Sequence, residues 1–525
     1  MTGLGVKAIE LELFTHRFTH LVEEMGVLLQ RTALSTNVKE RMDFSCALLD
    51  GDGELVANAP HIPVHLGAMG LCVRSIISRY PIGPGDMIVT NHPAFGGSHL
   101  PDVTVISGAF TPEGRLIGYV ANRAHHAEIG GIRPGSMPPG ATRLIEEGVV
   151  IPPTYVFENG GARFDVLETL LRDARYPSRA VGDNMADLNA QTAANLQGAN
   201  ALSTLAASYG LETIHHFMAA IRERATRALL RRIESFPSGE YRGRQKLDDG
   251  STLALCMKVQ RRGIQIDFHG TSGVHPGNFN ATPAIVRSVI IYVLRLWIQE
   301  PLPLNEGLLT PVSIILPECM LNPRFSDDPA ECPAVVGGNV ETSQRLVDTF
   351  MEALGFIACG QGTMNNLLFG NQPTAAENER FSYYETIGGG CGAGKGFDGA
   401  NAVHSHMTNT AITDPELLEF RFPVRLERFA IRKGSGGRGV YRGGDGIIRE
   451  LTFLKPASVS LLTQHRIEAP FGLHGGGEGM RGKQWIEKAD GQIIELDSTA
   501  AAEVKPGDHL VIETPGGGGC TRSDE

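Results

Sequence analysis

Four residues around one short region have the types and spacing for metal chemistry. In "NHPAFGGSHLPDVTVISGAF", His99 and Asp102 form a His-x-x-Asp pair, and "VANRAHHAEIGG" brings His125 and His126 a short way downstream. Imidazoles and a carboxylate converging from a rigid frame can hold a divalent ion, and catalytic versions keep one position open for water or substrate. The plainer reading is a set of polar residues at strand ends, because H-x-x-D is a common spacing. Adjacent strand residues face opposite ways, so His125 and His126 cannot both point inward. Strict alternation puts His126 on the face of Asp102, whereas a single bulge favours His125. Both stay candidates, and the one left over is free to orient the ligands or act on substrate.

Further candidates lie nearby in the sequence. "NVKERMDFSCALLD" sets Glu40, Arg41 and Asp43 before a strand, where Asp43 is either a ligand or general base, or part of a surface ion pair. "HIPVHLGAM" spaces His61 and His65 as H-x-x-x-H, but Pro63 breaks the helix that would align them and no Glu follows the first His, which excludes a zinc protease. His65 remains a candidate catalytic residue beside Asp43 and His126. "HSHMTN", if extended, puts His404 and His406 on one side as reserve ligands or substrate contacts. "GGCGAGKG" lacks the Ser/Thr of a P-loop, and "GSGGRG" runs into "VYRGGDG" rather than a helix, so neither is a nucleotide site. No G-x-S-x-G elbow supports a nucleophilic serine.

The elements that would position these groups follow from periodicity. Phe14, Phe18, Leu21, Met25 and Leu28 recur at helical steps over residues 6–35. "DFSCALLDGDGELVA" reads as a hairpin with an Asp/Gly turn, "GDMIVTNHP" as a strand, and "DVTVISGAF" with "LIGYVANRAHH" as a second hairpin. Folding that hairpin about Glu113 sets Asp102 opposite Ala124 and gathers His99, Asp102, His125 and His126 at its open end. Residues 178–236 predict two helices broken near Tyr209-Gly210, and "NVETSQRLVDTFMEALGFIA" another with Asn339 as N-cap. The expected fold class is α+β: a multi-domain mixed α/β chain with a strand-rich, glycine-rich C-terminal region. The expected divisions are 1–177, an N-terminal α+β domain with the metal-site hairpin; 178–240, a helical segment; 241–419, a mixed α/β domain; and 420–525, a β-rich domain.

The 525 residues suffice for several cores, and the net charge of -11, without a Lys/Arg-rich run, points away from nucleic acid and membrane surfaces. The eight cysteines are scattered with no C-x-x-C pair, which argues against a thiolate metal site or a disulfide framework and for a reducing cytoplasm. No secretory leader or membrane span is legible.

Together, "KERMDFSCALLD", "HIPVHLGAM", "GGSHLPDVTV", "NRAHHAEIGG", "GGNVETSQR", "YYETIGGG", "HMTNT" and "FPVRLERF", in order from near residue 35 to the terminal "PGGGG", resemble the hydantoinase B/oxoprolinase family. The resemblance implies a B-type subunit of an ATP-dependent cyclic amidase acting on hydantoins, 5-oxoproline or lactams. An A-type partner with an actin-like fold would bind ATP and magnesium and phosphorylate the substrate oxygen within a hetero-oligomer. The B-type chain would then hydrolyse the activated ring amide. A divalent ion, with zinc, manganese and iron all acceptable to such ligands, is implied at His99, Asp102 and one of His125/His126. The reading adds His126 or Asp43 as proton acceptor and the amides of "GGGCGAG" as donors to the developing anion. The alternatives are a subunit of an ATP-dependent ketone carboxylase and a scaffold without metal. Asn91-His92-Pro93 departs from the family's Asn-Asp-Pro, making His92 a further possible ligand, and Cys391 stands where an aromatic residue is expected.

Overall fold

The computed structural model describes residues 8–58, 62–371 and 381–521; His61 lies outside them. The described residues form an α+β chain with four sheets. The first is an antiparallel sheet of seven strands, ordered Leu55–Asn58, Phe44–Leu49, Leu116–His125, Asp102–Phe110, Met87–Thr90, Thr154–Glu158 and Gly161–Ala162. One face is covered by the helices Ala8–Thr32 and Val181–Tyr209, which bury Phe14, Phe18 and Met25 with Ala190 and Ala194 against Phe44, Leu48 and Val120. The helix Leu66–Ile77 covers the other face through Met69, Val73 and Ile76.

The helix Val181–Tyr209 belongs with this sheet. Its polar stripe is bonded into the strands: Gln191 Nε2 donates to the Val103 carbonyl at 2.9 Å, and Asn195 Nδ2 to that of Val105 at 3.0 Å. The chain breaks at Gly210, with φ of 84°, before Leu211–Glu234, as the sequence predicts. A second core surrounds the helix Pro283–Ile298, apolar on nearly every side and hence buried from all directions. It packs on Leu66–Ile77 through Gly67, where an added Cβ would lie 2.6 Å from the Ser288 backbone nitrogen. That close approach fixes the start of Leu66–Ile77, and with it His65.

The remaining strands form three further sheets: one of Gly239–Lys246, Thr252–Gln260, Gly263–Asp267 and Val312–Ile315, and two toward the C-terminus. Asn366–Gly370 pairs with Ala457–Leu462, so hydrogen bonding crosses the division expected at residue 420. Two local expectations are corrected. Asn339 does not cap a helix but lies inside a π-helical turn, Gly338–Thr342, leading into Ser343–Leu354, and its side chain is turned toward His99. "HSHMTN" is not a strand: the backbone turns at His406, with φ of 59°, so alternation does not align His404 with His406. All eight cysteines are free of disulfides. No helix among the described residues is long and apolar enough to cross a membrane.

Glu147 ties this framework to the segment before Asn339, since its carboxylate accepts the N–H groups of Val335 and Val336 at 2.9 to 3.1 Å. Burial outweighs those bonds and pushes its pKa from 4.5 up to about 8. The folded chain therefore keeps a proton that the unfolded chain releases above pH 4.5, and stability falls as pH rises through that window to about 8. Urea unfolding at about pH 5 and about pH 8 is expected to show this loss, and Glu147→Gln to shrink it.

Candidate metal centre

The site is built where three strands of the first sheet end. The Asp102 N–H donates to the His99 carbonyl at 3.1 Å, closing a tight turn that brings the His-x-x-Asp pair together. Across the hairpin, Asp102 is opposite His125, not Ala124. The register is symmetric about Glu113 only at Phe110↔Leu116. Ala109 then pairs with Gly118, so Ile117 is an extra residue and shifts the following pairs by one. On the other side of His125, Phe44 pairs with Ala124, and the His125 N–H donates to the Asp43 carbonyl at 3.0 Å. Asp43, His125 and Asp102 thus form a row across three strands, on the face covered by the helix that follows His65.

The side chains converge. Asp102 Oδ1 lies 3.1 Å from His99 Nε2 and 3.4 Å from His125 Nδ1, yet accepts no well-directed hydrogen bond. Asp102 Oδ2 is held by Ser98 Oγ at 2.5 Å and by His65 Nε2 at 3.2 Å, while His65 Nδ1 meets Ser45 Oγ at 3.1 Å. Asp43 Oδ2 stands 3.9 Å from His125 Nδ1. The His125 ring stacks on Tyr384, with centroids 4.8 Å apart. Asn339 Nδ2 lies 3.1 Å from His99 Nε2, and its Oδ1 has no partner. His99, Asp102 and His125 are all buried, and their ligand atoms lie within 4.8 Å of one another.

Burial alone would raise the Asp102 pKa, but the His99 and His65 imidazoles beside it hold it well below the usual carboxylate range. Burial lowers that of His125, against the pull of Asp43. An ionised carboxylate and a neutral imidazole are the forms a metal needs. The orphaned Oδ1 and this donor set fit a divalent ion. A cavity of about 20 Å³, bounded by Asp43, His65, Asp102, His125, Asn339 and Tyr384 among others, has room for one water. Asn339→Ala is expected to weaken metal affinity about 10- to 100-fold, the usual effect of losing an outer partner of a ligand, as titration calorimetry would show.

Several expected site residues lie elsewhere. His126 faces the opposite side of the sheet, where Nε2 meets Gln191 Oε1 at 3.0 Å and Nδ1 meets Asn184 Nδ2 at 3.1 Å. With both ring nitrogens engaged by amides of Val181–Tyr209, it neither ligates nor reaches a water in the cavity. His92 Nδ1 accepts the Ala94 N–H at 3.1 Å and caps the turn Pro93–Phe95 instead of joining the ligands. His404 contacts Thr386, and burial lowers its pKa to about 4. Five of the seven "GGGCGAG" amides are already spent: Gly389, Gly390, Cys391, Ala393 and Gly394 donate to backbone carbonyls, so those five cannot serve an anion. Arg41 is fully buried rather than part of a surface pair, giving Nη1 to the Tyr384 carbonyl at 2.8 Å and Nη2 to Thr386 and Thr410. Asn339 and Tyr384 carry no metal motif in the sequence, although both lie in segments that support the family resemblance.

The chain is 44% identical over 540 residues to 5-oxoprolinase 1 of Arabidopsis thaliana, covering 97% of this chain and 41% of that protein. It is 43% identical over 543 residues to 5-oxoprolinase of Saccharomyces cerevisiae, covering 98% and 42%. The chain thus spans about two fifths of the length of these curated relatives. The crystal structure of an ATP-dependent caprolactamase from Pseudomonas jessenii superposes with a TM-score of 0.87 at 25% identity, covering 99% of this chain and 91% of that one. The family described as hydantoinase B/oxoprolinase matches residues 7–523, and this chain belongs to it.

Proposed function

We propose that this chain is the hydrolytic part of an ATP-dependent cyclic amidase, opening a ring amide activated elsewhere by phosphorylation of its carbonyl oxygen. The observation that carries this reading is the buried row of Asp43, His125 and Asp102, joined by His99 and bordering a cavity with room for one water. The 5-oxoprolinase and caprolactamase names of similar proteins favour an amide over a ketone as substrate. Because the chain spans two fifths of its longer relatives, the ATP-binding activity is assigned to a separate A-type partner or an attached A-type region.

His99, Asp102 and His125 would hold the ion. When bound, a divalent ion supplies Lewis acidity, lowering the pKa of water so that a nucleophile exists at neutral pH. Ser98 and His65 fix the Asp102 carboxylate, and the Tyr384 ring fixes the plane of His125. Asp43 borders the cavity and accepts the proton from attacking water. The attacked carbon carries both the phosphate and the ring nitrogen; the C–N bond breaks, the nitrogen leaves as an amine with a proton, and hydrolysis of the resulting acyl phosphate releases carboxylate and phosphate. A space of about 20 Å³ admits water but not a lactam ring, so the cavity wall must open for substrate.

The test combines this chain with an A-type partner, ATP, magnesium and either 5-oxoproline, a hydantoin or caprolactam, then measures the ring-opened product and ADP. Ring opening that requires both proteins is expected. ADP release with equal ring opening when this chain is omitted would contradict the proposal.

A further inference from the structure

A second cluster lies far from the hairpin in sequence and uses a thiol. Asp348 comes from the helix Ser343–Leu354, Cys359 from the loop after it, and His465 from the segment following the strand Ala457–Leu462. All three are fully buried, with ligand atoms within 4.8 Å of one another. Cys359 Sγ lies 3.6 Å from His465 Nε2. His406 Nε2 approaches Asp348 Oδ1 to 3.5 Å but makes no hydrogen bond. Zinc bonded to nitrogen and sulfur at its usual lengths separates tetrahedral donors by roughly 3.3 to 3.8 Å, which both distances match.

The surroundings have the form of a binding cradle. Asp348 Oδ2 has no partner, and no Lys or Arg among the described residues pairs with this carboxylate. A buried carboxylate oxygen without a partner is an open position for a cation, and the buried Arg345 guanidinium, close enough to act on Cys359 and His465, does not pair with it. The Gly360 N–H donates to Asp348 Oδ1 at 3.2 Å, and the Glu468 carbonyl engages His465 Nδ1 at 2.7 Å, orienting Nε2 toward the cluster. At Gly362, with φ of 58°, an added Cβ would lie 2.3 Å from His465 Nε2 and 2.9 Å from Asp348 Oδ2, so the loop clears space for those groups. His406 and His465 both adopt positive φ, 59° and 58°, a strain that side chains other than glycine accept when surrounding structure requires it.

We infer that Asp348, Cys359 and His465, with His406 as fourth donor, form a closed structural zinc site that pins the helix Ser343–Leu354 to the C-terminal strands. A thiolate and a carboxylate would balance the charge of the ion, and four protein donors would leave no position for substrate. The competing chemistry is a free thiol acting as nucleophile or bonded to the carboxylate.

Cobalt(II) tests this assignment, because thiolate-to-cobalt charge transfer in the near ultraviolet cannot arise from the cysteine-free hairpin site. The full chain would be produced in zinc-poor, cobalt-supplemented medium, as wild type, Asp102→Ala, Cys359→Ser and His465→Ala. The expected result is one thiolate-bound cobalt per chain in wild type and Asp102→Ala, with the band lost from folded Cys359→Ser and weakened in His465→Ala. A folded wild-type chain without the band overturns the assignment, whatever the variants do. So does a band that persists in Cys359→Ser.

Discussion

Asp102→Ala is expected to remove one metal ion per chain and reduce ATP-dependent ring opening to background. Its Oδ1 is the atom shared between His99 and His125, at 3.1 and 3.4 Å, and among the described residues no other carboxylate joins both rings. Its Oδ2 anchors Ser98 and His65, so truncation also frees the two groups that orient the site. The loss of affinity should exceed the roughly 10- to 100-fold that removal of an outer partner produces. Ser98→Ala, which spares Oδ1, is expected to stay within that range. Elemental analysis of the folded variants, with ring opening measured alongside, provides the check. A folded Asp102→Ala chain that keeps the wild-type metal content would remove the hairpin from consideration as the metal centre.

Asp43→Asn should separate proton transfer from metal binding. Asp43 borders the water-sized cavity, and its carboxylate lies 3.9 Å from His125 Nδ1, beyond hydrogen-bonding distance. The amide preserves shape but does not accept a proton at neutral pH. The expected result is a kcat lowered by about 10² to 10⁴, the range for loss of a positioned general base, with metal content unchanged. A loss of metal in place of kcat would make Asp43 a ligand. An unchanged kcat would leave it a structural neighbour of His125.

The pairing of His99 with Asp102 was legible in the sequence because both lie within one turn, where a spacing of three residues nearly dictates proximity. The helices Ala8–Thr32 and Val181–Tyr209 and the two hairpins were legible for the same local reason: periodicity and turn chemistry act over a few residues. The choice between His125 and His126 was not legible. It depends on one extra residue, Ile117, at the far end of the hairpin, and a one-residue slip exchanges the faces of a strand. Asp43 stayed open between a role at the site and a surface ion pair because nothing local reveals that Phe44–Leu49 is an inner strand, buried on both faces. Asn339 and Tyr384 reach His99 and His125 from more than two hundred residues away, through packing of separate elements. The scattered cysteines argued against a thiolate site, yet folding brings Cys359 to Asp348 and His465. By itself the sequence determined the family resemblance, the local elements and the His-x-x-Asp core of the site. Tertiary structure decided which histidine joins it and which distant residues complete it, because register and long-range packing are set by contacts that no short window of sequence contains.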